Sequence, residues 1–144
     1  FAVVCLGLAE IAKYARIDNR QFRMLKATTP GSYTFILRAR REVPRRLTQK
    51  KTIGVRVPGH PVAHALLAEL DGPMLSATLL LPGQTTPLSE GDQIRRHLAK
   101  QLGLVISAGP CGSEPSTVID LTEEIPRVLR QGKGSLELFA VERV

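Results

Sequence analysis

Short apolar runs that favour β-strands alternate along this chain with segments whose apolar residues recur at helical spacing. This alternation is typical of an α/β domain, in which helices connect and cover the strands of a sheet. No segment is repeated and none is of low complexity. The predicted strands, from first to last, are 1–6, 33–37, 52–57, 104–107, 117–121, 128–129 and 136–141, and 74–81 is the most continuous apolar run.

Capping signals indicate where two of the predicted helices begin. Asp18 is a suitable N-cap for a short helix that would hold Phe22 and Leu25 on one side. Ser89 and Asp92, three residues apart, resemble a capping box that opens a later helix. The sequence therefore predicts helices between the strands as well as strands.

The size of the chain suits one hydrophobic core. It has 144 residues, 43% of them apolar, so one domain over 1–144 is predicted. Its apolar runs are far shorter than the roughly 20 residues of a membrane-spanning helix, so no membrane partner is predicted.

Phe1 leads straight into a predicted strand, and the chain is expected to begin in mid-fold. Cys5 and Cys111 lie far apart, which favours reduced thiols and a cytoplasmic location.

Positive charge is concentrated in the first part of the chain. The net charge is +7, but residues 1–56 carry 13 Lys/Arg against 3 Asp/Glu, and residues 57–144 carry 7 against 10. We call the densest stretch, seven cations within fourteen residues, the basic run. Its members are Arg38, Arg40, Arg41, Arg45, Arg46, Lys50 and Lys51. Such a run repels itself unless an anion approaches, so a nucleotide or RNA partner is one interpretation, and a solvated loop is the other.

The sequence lacks the signatures of several enzyme classes. There is no G-x-S-x-G elbow, P-loop, H-E-x-x-H or G-x-G-x-x-G. His60 and His64 lack a third ligand at metal-site spacing, so we predict no metal and a capping or surface role.

Hydroxyl and arginine side chains at predicted strand ends could donate hydrogen bonds to a phosphate. They are Thr52, Arg56, Ser76, Thr78, Ser116, Thr117 and Arg130. Any single Ser or Thr is more often a turn or cap residue, so the hypothesis depends on the whole set.

Four segments that contain most of these residues resemble the YrdC-like family. They are P-G-S-Y-T-F-I-L at 30–37, T-I-G-V-R-V-P-G-H-P at 52–61, P-S-T-V-I-D-L-T at 115–122 and L-R-Q-G-K-G at 129–134. Their order and spacing cover nearly the whole chain. Two further segments look more like the YciO branch than the branch of the threonylcarbamoyl-AMP synthases: E-V-P-R-R-L at 42–47 and L-S-A-T-L-L-L-P-G at 75–83.

The resemblance implies a single twisted, open, mixed sheet flanked by helices, with a basic concave face. In the synthase branch it also implies condensation of threonine, bicarbonate and ATP into threonylcarbamoyl-AMP for tRNA modification. Carried over by position, Arg56 would meet the threonine carboxylate, with Thr78 and Ser116 near the same amino acid. ATP would be a substrate, with or without Mg²⁺, and no tightly bound cofactor is predicted. The positions that would bind the nucleotide are Thr52, Ser76, Thr117 and Arg130.

Two departures from the synthase pattern leave different functions open. The asparagine of the family's S-x-N motif falls on Leu80, which cannot hydrogen-bond, and the family's early P-T-x-T-x-Y-G and K-x-R motifs have no counterpart in the chain. One hypothesis is that the complete protein makes threonylcarbamoyl-AMP or a related acyl-adenylate. Another is a module that binds tRNA or double-stranded RNA through the basic run without adenylation. A third is an unknown small-molecule role with a solvated basic run.

Overall fold

Six strands form one mixed sheet in the computed structural model, which describes residues 1–112 and 114–139. The strands are Ala2–Val4 (β1), Tyr33–Arg38 (β2), Thr52–Arg56 (β3), Met74–Ser76 (β4), Thr117–Asp120 (β5) and Arg127–Arg130 (β6). Their order across the sheet is β4-β1-β3-β2-β5-β6. The pairs β1–β3 and β2–β5 are parallel, and the pairs β1–β4, β2–β3 and β5–β6 are antiparallel. The predicted α/β class with a mixed sheet is confirmed.

The described residues also form four α-helices. They are Leu8–Tyr14 (α1), Asn19–Thr28 (α2), Pro61–Leu70 (α3) and Gly91–Leu98 (α4). Asp18 caps α2 as predicted: its carboxylate accepts a hydrogen bond from the Gln21 backbone N–H at 2.7 Å, and the Gln21 side chain accepts from the Asp18 N–H at 2.9 Å. His60 caps α3 through Nδ1, which accepts from the Val62 N–H. No helix in the described ranges combines the length and the apolar character that crossing a membrane requires.

Alternation along the central strands separates a core face of the sheet from a polar face. Phe35, Val55 and Ile119 are buried on the core face, in one cluster with Ile11 of α1 and Leu25 of α2. Neighbouring side chains on the same strands project to the other side, because the side-chain period of a strand is two. We call this second side the polar face, and its polar members include Thr34, Arg38, Thr52, Arg56, Ser116, Asp120 and Arg130.

The described residues group into two compact units. The first is Phe1–Ala77 together with the described residues from Pro115 onward, and it contains the whole sheet. The second is Thr78–Glu114, which contains α4. Within this second unit the backbone of Gly91 packs closely on Ser107, since a Cβ at Gly91 would lie 2.6 Å from the Ser107 hydroxyl oxygen.

Several strand predictions are wrong. Residues 104–107 and 136–139 form no strand, although both runs are apolar, and residues 140–141 of the last predicted strand lie outside the described residues. Only Met74–Ser76 of the run 74–81 is a strand. An apolar run becomes a strand only where a neighbour completes its backbone hydrogen bonds, and the described residues supply no partner for these two runs.

Two helix predictions also need correction. Helix α4 has Glu90 as its N-cap, without a side-chain cap bond, and Asp92 pairs with Arg95 at 2.6 Å instead of closing a capping box. On α2, Phe22 is 44% exposed, whereas Gln21 is buried. Gln21 can be buried because its side-chain amide donates to the Leu121 carbonyl at 2.7 Å and its oxygen accepts from Asp18.

Candidate anion-binding site

Arg56 lies at the end of β3, on the polar face of the sheet. The neighbouring Val55 pairs with Phe35 of β2, and both side chains are fully buried on the core face. Arg56, which follows Val55 on β3, and Thr34, which precedes Phe35 on β2, therefore face the polar side of the sheet. The strand register places Arg56 across from Thr34, so a guanidinium and a hydroxyl share this end of the polar face.

Ser116 and Arg130 come to the same place from β5 and β6. The hydroxyl oxygens of Thr34 and Ser116 are 2.8 Å apart, with either as the donor. Arg130 donates from Nε to the Ser116 carbonyl at 3.0 Å and from Nη2 to the Ser116 hydroxyl at 3.2 Å. We call Thr34, Arg56, Ser116 and Arg130 the arginine–hydroxyl site. Strands β2, β3, β5 and β6 each position one of its members.

The arginine–hydroxyl site has unmatched positive charge. The buried Nε of Arg56 has no hydrogen-bond partner among the described residues. Burial lowers the pKa of Arg56, and the charge of the nearby Arg130 lowers it further. The single ion pair in the described ranges joins Asp92 to Arg95, so no described carboxylate neutralises either arginine of the site.

These features make the site suited to an anion. A buried donor without a partner destabilises the protein by about 1–3 kcal/mol, more when it is charged, and two neighbouring cations add repulsion. An oxygen anion would accept from the Arg56 Nε and offset both charges. Carboxylate and phosphate oxygens both fit the planar fork of a guanidinium.

A glycine-containing loop after β6 holds Ser116 in position. The Gly132 N–H donates to the Thr117 hydroxyl at 3.0 Å, and this hydroxyl donates to the Gly134 carbonyl at 2.7 Å. A Cβ at Gly132 would lie 2.2 Å from the Pro115 carbonyl oxygen and 2.6 Å from that of Ser116. A side chain at Gly132 would therefore displace the segment that carries Ser116.

Three other residues predicted to bind nucleotide are not members of the arginine–hydroxyl site. Thr117 is fully buried on the core face, where its hydroxyl holds the loop after β6, so the structure does not present it to a ligand on the polar face. Thr52 lies on the polar face at the start of β3, and its hydroxyl donates to the Gln49 carbonyl. Ser76 lies on β4, paired with Ala2 of β1. The second unit contains Thr78, whose carbonyl accepts from the Leu80 N–H.

Sequence reasoning overlooked two residues at this site, Thr34 and Gly132. The alternation of 33–37 could have shown that Thr34 faces away from the core, because Tyr33 and Phe35 are the large apolar residues on either side. Gly132 lies in the Q-G-K-G segment, but its close approach to Pro115 involves residues far apart in the sequence. Only the folded chain reveals that contact.

The seven cations of the basic run are all exposed. Arg38 is the last residue of β2, so the run begins at the opposite end of this strand from Thr34. Five of the seven line a cleft of about 450 Å³, and Arg46 and Lys50 do not. The basic concave face that the resemblance implies stays a prediction.

The cysteines and histidines do not add a metal site in the described residues. Both thiols are free, Cys5 buried and Cys111 exposed. The described ranges contain no group of three His, Cys, Asp or Glu side chains that could hold a metal ion. Burial raises the pKa of the Cys5 thiol to about 12, with a further contribution from Glu10.

Comparison with known proteins identifies the class to which this fold belongs. Residues 1–132 match the family model Sua5_yciO_yrdC, which is described as "Telomere recombination". The chain is 48% identical over 141 residues to the uncharacterized protein YciO of Escherichia coli K12, covering 96% of this chain and 68% of YciO. It is 30% identical over 112 residues to the threonylcarbamoyl-AMP synthase of Bacillus subtilis 168, covering 76% of this chain and 32% of the synthase.

Solved structures agree with this assignment. The crystal structure of E. coli YciO superposes with a TM-score of 0.91 over 96% of this chain and 68% of YciO. The crystal structure of P. abyssi Sua5 complexed with L-threonine superposes with a TM-score of 0.82 at 26% identity, over 91% of this chain and 39% of Sua5. The chain belongs to the Sua5/YciO/YrdC family, as the sequence motifs indicated.

Proposed function

We propose that the arginine–hydroxyl site binds the carboxylate of a threonine-like amino acid beside a phosphate of ATP. The observation that carries this proposal is the buried Arg56 Nε, which has no partner among the described residues and lies near a second cation, Arg130. A carboxylate accepting from Arg56 would satisfy that donor. The hydroxyls of Thr34 and Ser116, 2.8 Å apart, would bond the polar groups of the same ligand.

Arg130 is suited to a second anion next to the first. Its Nε and Nη2 are occupied by Ser116, which fixes the plane of the guanidinium, and the side chain is exposed. A phosphate at its outer edge would lie beside the amino acid bound by Arg56. Positioning and charge neutralisation of this kind promote adenylation without a dedicated acid or base.

The proposed reaction of the complete protein follows from the family resemblance. Bicarbonate and the amino group of threonine form a carbamate and water, and a carbamate oxygen then attacks the α-phosphorus of ATP. Pyrophosphate leaves, and threonylcarbamoyl-AMP is the product. Two family relationships support this proposal: the 30% identity to the Bacillus subtilis threonylcarbamoyl-AMP synthase, and the likeness to the Sua5 structure that contains L-threonine.

Isothermal titration calorimetry with L-threonine and L-threoninol tests the role of Arg56. Threoninol has a hydroxymethyl group in place of the carboxylate, so it should bind far more weakly to the wild-type protein. Arg56→Ala should weaken threonine binding about 100-fold, since two charge-assisted hydrogen bonds of about 1.5 kcal/mol each are lost. The matched control is Arg127→Ala, which removes an exposed arginine at the other end of β6 and should leave the affinity unchanged.

Two results would count against this function. Equal affinity for threonine and threoninol would show that no carboxylate is recognised, and unchanged affinity in Arg56→Ala would remove Arg56 from the site. ATP-dependent release of pyrophosphate with threonine and bicarbonate then separates catalysis from binding. Binding without release would indicate an amino-acid-binding protein that does not adenylate.

A second candidate function is binding of tRNA or double-stranded RNA through the basic run, without adenylation. The exposure of all seven cations favours it. If about five of them contact phosphates, the affinity should fall with a log–log salt slope of about −4.5 for a duplex and about −3.5 for a single strand. Arg45→Glu with Arg46→Glu should abolish this binding and leave nucleotide turnover largely unchanged. An affinity that does not change with salt would rule this candidate out.

A further inference from the structure

The cleft beside the end of β2 is lined by six cations that come from separate segments of the chain. It measures about 450 Å³, and no acidic side chain lines it. Five of the six belong to the basic run, whereas Arg16 comes from the segment after α1. The cations are Arg16, Arg38, Arg40, Arg41, Arg45 and Lys51.

Backbone hydrogen bonds tie these segments together. The Arg16 N–H donates to the Arg38 carbonyl at 2.8 Å, and the Arg40 N–H donates to the Tyr14 carbonyl at 2.9 Å. The Ala39 N–H donates to the Lys51 carbonyl, also at 2.9 Å. The segment after α1, the end of β2 and the turn before β3 are therefore fixed relative to one another. The backbone positions that carry the cations are held close together before any ligand arrives.

The turn that carries Lys51 has an unusual backbone. Gln49 and Thr52 exchange two backbone hydrogen bonds of 2.9 Å across a two-residue turn, in which Lys50 and Lys51 have φ values of 51° and 64°. This left-handed conformation normally requires Gly, Asn or Asp. Backbone strain of this kind persists where the surrounding structure enforces it, and it occurs often at ligand sites. The turn places Lys51 in the lining of the cleft and leaves Lys50 outside it.

Side-chain contacts also leave the charge of the cleft unmatched. Arg40 donates through Nε to the Ala12 carbonyl at 2.7 Å, which fixes its guanidinium beside α1. Glu42, the acid within the basic run, forms no ion pair, because Asp92–Arg95 is the one salt bridge among the residues that the structure covers. Six cations around one hollow without an acidic partner create a field that favours a concentrated negative charge.

The division of the basic run indicates what kind of anion fits. An extended RNA backbone running along the surface would engage Arg46 and Lys50 as much as their neighbours. The fold instead directs five members of the run into one hollow, adds Arg16, and leaves those two outside. The volume lies within the range of small-molecule sites, which is about 300–1,000 Å³.

We infer that this cleft binds a compact chain of consecutive phosphates, such as the oligophosphate of a nucleotide. This site is separate from the arginine–hydroxyl site and does not depend on the function proposed for it. The bound groups would be phosphate oxygens, each accepting from guanidinium or ammonium donors.

The experiment compares two charge-matched double variants of the full chain with inorganic tripolyphosphate as the probe. Arg41→Glu with Arg45→Glu alters the cleft, and Arg46→Glu with Lys50→Glu makes the same change in charge outside it. Isothermal titration calorimetry should show about a 100-fold loss of tripolyphosphate affinity in the cleft variant, as expected when two charge-assisted contacts are lost. The control variant should lose far less affinity, because neither of its side chains lines the cleft and exposed charges are partly screened by salt. Circular dichroism confirms that both variants are folded.

Three results would overturn this inference. Absence of tripolyphosphate binding to the wild-type protein would do so, as would equal losses in the two double variants, which would indicate a diffuse field. Loss of binding in Arg56→Ala with retention in the cleft variant would assign tripolyphosphate to the arginine–hydroxyl site. A short RNA duplex serves as the second probe: if it binds while tripolyphosphate does not, and if both double variants weaken it equally, the basic run is an RNA surface.

Discussion

Substituting Gly132 by alanine tests whether the loop after β6 packs on the segment that positions Ser116. The new Cβ would lie 2.2 Å from the Pro115 carbonyl oxygen and 2.6 Å from that of Ser116, and both are backbone atoms that cannot rotate away. Relief of the overlap requires the loop to move by about 1 Å, and overpacking of this kind destabilises a protein by about 1–3 kcal/mol. The movement also weakens the bond from the Gly132 N–H to Thr117, which contributes about 1 kcal/mol.

We therefore expect Gly132→Ala to lower the free energy of unfolding by about 2–3 kcal/mol. For a protein of this size the midpoint of thermal unfolding, followed by circular dichroism, should fall by about 5–10 °C. Gly103→Ala is the matched control, because no atom lies within 4 Å of a Cβ at that position and its φ is not in the left-handed region. If the two variants unfold within about 1 °C of each other, the packing of this loop on Pro115 and Ser116 is refuted.

Two further predictions concern stability. Asp18→Ala should lower the free energy of unfolding by about 1 kcal/mol, as measured by urea denaturation. Asp18→Asn should lose much less stability, because Asn also accepts from the N–H groups of the first turn. Equal losses in the two variants would contradict this prediction. The pKa of Cys5 is raised from 9.0 to about 12 in the folded protein, so the unfolded thiol loses its proton first as the pH rises. Stability should therefore fall by about 1 kcal/mol between pH 7 and pH 10. Cys111→Ala should keep this loss and Cys5→Ala should lack it, and parallel pH profiles of the two variants would be inconsistent with the buried thiol.

The central strands could be predicted from the sequence because two signals coincide in them. In 33–37 and 52–57, apolar residues alternate with others, and turn residues precede or follow each run. The run 104–107 has apolar residues without these constraints, and in the structure Leu104 is 76% exposed. Whether such a run pairs depends on a neighbouring strand, which the local sequence cannot supply.

Three of the four members of the arginine–hydroxyl site were predictable from the sequence, but their arrangement was not. Arg56, Ser116 and Arg130 follow from the family motifs, and the structure brings these three side chains together. Ser116 and Thr117 are adjacent hydroxyl residues, and a shift of one residue in strand register would exchange which of them is buried. The pairing of Thr117 with Tyr33 determines that Thr117 is the buried one, and this pairing joins residues far apart in the chain.

The two regions proposed to bind anions lie toward opposite ends of β2, and this separation determines how they could influence each other. Thr34 lies near one end and Arg38 at the other, so about 13 Å of strand separates the backbone of these two residues. That exceeds the Debye length of about 8 Å at physiological salt, so exposed charges at one region are largely screened from the other. An anion in the cleft should therefore leave the affinity for threonine almost unchanged at this salt concentration. Coupling that appears only at low salt would reflect the long-range field, whereas coupling that persists at high salt would require one ligand to contact both regions.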